Sequence, residues 1–275
     1  MTRLISAHIL RLRKSHLFWG ALLFCFGFGA FMALMRYSEH VRYEIEVSLD
    51  TVFFVYASII GIVMSAFTGL FLGTEYSDGA IRNKVTAGHS RYAIYLAGLL
   101  VNILVSFILC AAYMLSAAAL GLPLLGALTV DFKITVFVVL GTLAMCTAFC
   151  AIFTLISMNS SRKATTAVAC ILVVFILFAA ALYINMRLTE PEFYDAYSLS
   201  VDGQLVGESV PNPAYLKGAA RAAFTFVYDF LPTGQSLQYS GLTAVHLWQM
   251  PLYSLLICIA CSVGGVFLFA RKDLK

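Results

Sequence analysis

The sequence is poor in charge, and none of that charge falls in its long apolar runs. Only 12% of the 275 residues are Asp, Glu, Lys or Arg, against 61% hydrophobic. Soluble domains carry roughly 25% charged residues, so this is a membrane composition. Six stretches are long enough to cross a bilayer, at 17–35, 51–73, 93–120, 134–158, 164–184 and 247–270. Not one Asp, Glu, Lys, Arg or His lies inside them. Ionisable groups at membrane depth mark proton relays, ion sites and catalytic residues. Their absence argues against a gradient-driven carrier and against an intramembrane enzyme, which needs a base or metal ligands beside its nucleophile. His89 and His246 flank spans at opposite ends, so this topology gives them no shared site.

Other absences narrow the reading further. There is no GxxxxGK[ST] phosphate loop, no internal repeat and no second soluble domain. All seven cysteines (25, 110, 146, 150, 170, 258 and 261) lie within spans, so no disulfide framework is implied. Cys258 and Cys261 have CxxC spacing but no second pair, and read as small apolar packing residues. The run from Leu17 to Met35 follows Arg3, Arg11, Arg13 and Lys14 but exceeds a signal-peptide core. It ends in Arg36 and Tyr37 without a small-residue cleavage site, and is expected to be a retained span.

The charge that is present is sorted by side. With both termini inside, the inner segments 1–16, 74–92, 159–163 and 271–275 hold 12 cations and three acids, net +9; the outer segments hold six cations and 11 acids, net −5. This asymmetry predicts a multi-pass protein of the plasma membrane with both termini cytoplasmic. The basic rims read as topology signals facing anionic lipid rather than as nucleic-acid sites.

Between the spans, residues 2–16 are expected to form an interfacial helix with Leu4, Ile5, His8, Ile9 and Leu12 on one face. The acidic segment 36–50, with Glu39, Glu44, Glu46 and Asp50, reads as a solvated outer turn. Segment 74–92 is polar and basic. Asp78 is expected to cap a short helix bearing Ile81 and Val85 on one side, with Gly88 ending it. The outer insertion 185–246 reads as a hairpin turning at Asp202-Gly203, then a helix capped by Asn212, starting at Pro213 and running to about Phe230. That helix, striped by Leu216, Ala220, Ala223, Val227 and Phe230, is too short to span. It is expected to lie at the outer interface or re-enter partway, with Pro232 terminating it. Gly27, Gly29, Gly61, Gly69, Gly264 and Gly265 suit close helix approach, and Asn102, Thr142, Thr147 and Thr154 suit interhelical hydrogen bonds.

Three motifs carry a resemblance. Glu75-Tyr76-Ser77-Asp78-Gly79-Ala80-Ile81-Arg82-Asn83-Lys84, then Gly88-His89-Ser90-Arg91, is similar to the segment after the second span of ABC-2 type transporter permeases, with Ala80 where that family usually has Thr. Leu231-Pro232-Thr233-Gly234-Gln235 before the last span and Phe269-Ala270-Arg271-Lys272-Asp273-Leu274-Lys275 at the end agree in order. The resemblance covers essentially the whole length. It implies a single all-α polytopic domain over 1–275 with a type V exporter-like permease fold, a cytoplasmic coupling helix and an outer re-entrant helix. It also implies a bacterial permease that dimerises with itself or a second permease and binds two copies of a separate ATPase. That ATPase holds ATP and Mg, while this chain binds no cofactor. Glu75, Tyr76, Asp78, Gly79, Arg82, Asn83, Lys84, Gly88, Ser90 and Arg91 would form the ATPase-coupling site, with Glu75 placed to pair with Arg82 or Arg91. The substrate would be a hydrophobic or amphipathic lipid, peptide or drug, moved outward. The alternative is a non-transporting sensor or immunity protein of the same fold, and the rival from another class is an intramembrane enzyme.

The charge asymmetry predicts that single cysteines at Ser160 and Ser200 label from opposite sides of the membrane, Ser160 from the inside. Labelling of both from one side contradicts the six-span arrangement.

Overall fold

The computed structural model describes residues 2–199 and 205–272, apart from the side chains of 195–208. The turn at Asp202-Gly203 and the terminal residues 273–275 lie outside the described residues.

The chain begins with α1 (Thr2–Arg13), whose Leu4, His8 and Leu12 are buried at four-residue spacing while Arg3 and Arg13 face outward. Ser15 caps α2 (His16–Tyr43), its hydroxyl accepting from Phe18 N at 3.4 Å. The second span is split into α3 (Asp50–Phe53) and α4 (Tyr56–Ser77). At the break, Tyr113 donates to the Val52 carbonyl at 3.0 Å, which supplies the partner that apolar surroundings demand. There follow α5 (Ala80–Thr86), α6 (Arg91–Leu125), α7 (Phe132–Asn159) and α8 (Lys163–Thr189). The insertion holds β1 (Phe193–Leu199) and β2 (Leu205–Pro211), antiparallel with Leu199 opposite Leu205. Then come α9 (Gly218–Phe230), α10 (Pro232–Ser240) and α11 (Gln249–Arg271). Six helical spans are long and apolar enough to cross a membrane, at His16–Tyr43, Asp50–Ser77, Arg91–Leu125, Phe132–Asn159, Lys163–Thr189 and Gln249–Arg271. The chain is a multi-pass, mainly helical membrane protein; the β1–β2 hairpin is its departure from an all-α fold.

The spans are bound together by apolar packing. The main pairings are α2 with α6, α4 with α7 and α8, and α7 with α11. Stacked Phe149 and Phe153, with Phe67 and Phe71, fill the centre. Leu23, Leu115 and Val263 stand exposed on outer faces of spans, as lipid-facing side chains do. Asn102 bridges α6 to α7 by donating to Thr154 at 3.1 Å, but Thr142 and Thr147 bond carbonyls of their own helix. Gly29, Gly61, Gly69 and Gly265 do mark close approaches: a Cβ at Gly69 would lie 2.8 Å from the Ala167 backbone. Gly27 and Gly264 have nothing within 4 Å among the described residues.

The loop expectations need three corrections. Segment 36–50 is not all turn, because α2 runs on to Tyr43 with an Arg36–Glu39 ion pair at 2.7 Å. Asp50 is buried, not solvated, and accepts from Thr129 N at 3.0 Å and Val130 N at 3.4 Å, tying the second span to the 126–131 loop. Asn212 caps no helix. Its Oδ1 accepts from Ala214 N at 2.8 Å and its amide donates to Glu190 and Pro191, closing the base of the hairpin, so the helix starts at Gly218 instead of Pro213.

Pro232 does more than end α9: it opens α10, a helix of polar residues that is almost wholly buried among α4, α7, α8 and α9. Each buried polar group needs a partner there. Thr233 donates to the Leu177 carbonyl at 2.8 Å and Ser236 to the Ala57 carbonyl at 2.7 Å. Gln235 donates to Asp229 O at 2.8 Å and Met250 O at 2.9 Å and accepts from Ser254 at 2.6 Å. Gly234 lets the elbow close, since a Cβ there would lie 3.0 Å from the Tyr228 carbonyl carbon. The Leu-Pro-Thr-Gly-Gln motif thus makes a buried turn between α9 and α10. Gly234→Ala should therefore destabilise the detergent-solubilised protein by about 1–3 kcal/mol, read as a lowered melting temperature. Gly264→Ala, with open space around it, should leave the melting temperature in place; equal effects contradict this account of the elbow.

Candidate functional site

At the basic end of the bundle, α4 ends, α5 crosses, and α1 packs on α6 while its His8 and Arg11 reach toward both. Asp78 and Gly79 form the corner. Asp78 is the last residue of the α4 turn rather than the cap of α5. Gly79 takes the cap position with φ +67°, a left-handed conformation that costs glycine little. Ile81 turns inward and is buried, while Arg82 and Asn83 face out. Gly88 (φ +86°) ends α5, with Gly88 N donating to Val85 O and His89 N to Lys84 O.

Glu75 organises this corner. Its carboxylate is 1% exposed and meets three basic side chains. Arg11 Nη1 lies 2.6 Å from Oε1, and Lys84 Nζ donates to Oε2 at 2.9 Å. His8 Nδ1 lies 3.0 Å from Oε1, off the ideal hydrogen-bond line, and His8 Nε2 is 3.1 Å from Lys84 Nζ. An ammonium can only donate, so Nε2 accepts and the proton of a neutral His8 sits on Nδ1, facing Glu75. Arg11 also stacks over Phe71, 4.8 Å from the ring centroid. One carboxylate at the end of the second span therefore holds α1 through His8 and Arg11, and α5 through Lys84.

Of the sequence-predicted residues, Glu75 and Lys84 come together, while Arg82 and Arg91 do not pair with Glu75. Arg82 and Asn83 remain on the exposed face with Asp78 and Gly88. Arg91 turns toward the end of α11, donating to the carbonyls of Phe269 at 3.2 Å, Ala270 at 3.0 Å and Lys272. It thereby satisfies carbonyls that a helix end leaves open. Ser90 is the cap residue of α6 without a side-chain bond. Tyr76 donates to the Met158 carbonyl, and Lys272 lies over its ring at 4.1 Å. Lys272 donates to Met158 O at 3.2 Å and Ser160 O at 2.9 Å. Burial pushes its ammonium down to about 8, while the two carbonyls and the ring favour the charged form.

His8 and Arg11 were not among the residues expected here. The available signal was a histidine in the middle of the apolar face of α1, where a polar group needs a buried partner. Gly69 and Gly73 add to the rigidity, allowing α4 to lie directly against the backbone of Ala167 and Lys163.

No known protein-family model matches the chain, and no curated protein matches its sequence. The six apolar helices define it as a multi-pass membrane protein. Its exposed basic-end element is α5 with its flanking turns, seated on a buried ion cluster.

Removing Glu75 would leave three basic groups around an apolar hole. Losing one partner of a buried ion pair costs about 3–5 kcal/mol. Glu75→Ala should free α1, seen as thiol labelling at a Leu4→Cys reporter, whose site is buried in the intact protein. Arg82→Ala should leave that reporter protected. A protected reporter in Glu75→Ala contradicts the clamp.

Proposed function

We propose that this chain is the membrane subunit of an ATP-driven transporter of the ABC-2 permease type. In this reading residues 74–92 receive the stroke of a separate ATPase. Both termini are cytoplasmic, in keeping with the net +9 of the end that carries α1 and α5. The observation that carries the proposal is the build of α5. Its inner side is locked by Ile81 and by Lys84 on Glu75, and its outer side presents Arg82 and Asn83 to a partner. A helix moved from outside transmits force only if it is tied to the spans, and Glu75 ties it directly to the second.

The other parts of the proposal rest on the resemblance of the three motifs to that family. ATP and Mg belong to the partner, two ATPase copies serving a permease dimer formed with a second copy or a second permease. The substrate is a hydrophobic or amphipathic molecule, in keeping with an interior of Phe, Met and small residues with uncharged polar groups, and its outward movement is what the family resemblance implies. The α9–α10 elbow closes the outer end of the path.

The guanidinium of Arg82 offers a planar fork for carboxylates or carbonyls of the ATPase. Exposed pairs contribute only about 0–1 kcal/mol each, so charge reversal is the informative change. Arg82→Glu should insert normally and should either lose the co-purifying ATPase or retain it without transport. Normal retention together with normal transport would sink the assignment of α5 as the coupling element.

A further inference from the structure

At the opposite end of the bundle, α9 and the start of α11 flank an open cavity of about 470 Å³ lined by Arg221, Thr225, Phe226, His246, Gln249 and Tyr253. A second cavity of about 400 Å³ adjoins it, and Arg221, Thr225, Asp229 and His246 line both.

The polar groups of this cavity are sorted in a particular way. Asp229 is the one carboxylate on its wall, and it is 4% exposed. Its Oδ1 accepts from Gln238 Nε2 at 3.0 Å, and its Oδ2 lies 2.7 Å from His246 Nδ1. Both oxygens are thus engaged inside the protein. The Asp229 contact fixes the proton on Nδ1, so the Nε2 edge of His246, whose side chain is 40% exposed, is left to the cavity. Arg221 donates from Nη2 to the Leu188 carbonyl at 3.1 Å, while its Nη1, shielded from solvent, has no hydrogen-bond partner among the described residues. A buried guanidinium N–H without a partner is costly and calls for an acceptor. The wall thus engages its carboxylate within the protein, while Arg221 has no carboxylate partner among the described residues and His246 can donate from Nε2 when it is protonated; that excess of positive charge suits an anion.

One side of the same cavity is aromatic. Phe226 packs edge-on to Tyr253 at 5.6 Å and lies 5.9 Å from Phe230, and Phe226 itself is 53% exposed. Such a cluster at the end of a span sits at headgroup depth.

We propose that this cavity binds the anionic phosphate head of an amphipathic molecule. Arg221 and His246 hold the phosphate, and Phe226 and Tyr253 hold the start of the apolar chain. Asp229 is a positioning residue that orients His246 and supports its charge when Nε2 donates to the anion. The inference does not rest on the transport reading, since it concerns binding by this chain alone.

Native mass spectrometry of the full chain in detergent tests it with three probes: dioctanoyl phosphatidic acid, phosphatidylcholine of the same chain length, and inorganic phosphate. The intact protein should retain phosphatidic acid about ten-fold or more tightly than phosphatidylcholine, the scale of a charge-assisted hydrogen bond. Arg221→Gln should remove that preference, bringing phosphatidic acid retention down to that of phosphatidylcholine. Phe226→Ala, at an exposed position, should weaken phosphatidic acid and leave inorganic phosphate unchanged. Equal retention of the two lipids by the intact protein overturns the proposal, as does a preference that survives Arg221→Gln. Inorganic phosphate competing as well as phosphatidic acid, with Phe226→Ala silent, overturns the assignment to an amphiphile.

Discussion

The Glu75 carboxylate is the interaction on which the basic end depends. A carboxylate at 1% exposure can remain charged only if neighbours replace its water. Here three different segments supply them: His8 and Arg11 from α1 and Lys84 from α5. Desolvation makes the cluster a poor source of net stability but a strong constraint on geometry, because removing Glu75 leaves His8, Arg11 and Lys84 without their shared partner. α1 lies where it does because its apolar stripe carries His8 to that carboxylate. α5 lies where it does because Gly79 turns the chain back and brings Lys84 within reach.

The opposite end solves a different problem. There the chain must turn inside apolar surroundings, and the turn is made of Thr, Gly, Gln and Ser. Every one of the buried bonds from Thr233, Gln235 and Ser236 runs to a carbonyl of another element or to Ser254. The elbow therefore fastens α4, α8 and α11 to one another at the end where α5 is absent. The basic end is held by the Glu75 cluster and the elbow chiefly by neutral hydrogen bonds, while the spans between them are joined by apolar packing and isolated bonds such as that from Asn102 to Thr154.

Much of this was legible in the residues, for physical reasons that also mark the limit. The six spans follow from length and hydropathy alone, although the helices outrun the apolar runs wherever polar residues continue the turn, as from Arg36 to Tyr43. The short helix of segment 74–92 was legible from Ile81, Val85 and Gly88, but not its cap: Asp78 has the right chemistry, and a left-handed Gly79 replaces it. Glu75 was recognisable as a residue of the site, yet its partners were not, because spacing along the chain cannot show that α1 folds back 60 to 70 residues later onto the end of the second span. α10 was missed because a polar sequence reads as solvated when nothing reveals that its neighbours supply carbonyls. The Asp229–His246 contact was missed for the same reason: 17 residues and a helix reversal separate two groups that meet at 2.7 Å.

The central claim is that one buried carboxylate makes α1, α5 and the second span a single rigid body. Spin labels at the exposed positions Arg3 and Thr86 report it directly through a double electron–electron resonance distance distribution. The account predicts one narrow distance in the intact protein and a broad distribution in Glu75→Gln, with the spans still inserted. A broad distribution in the intact protein, or a narrow one that persists in Glu75→Gln, would contradict it.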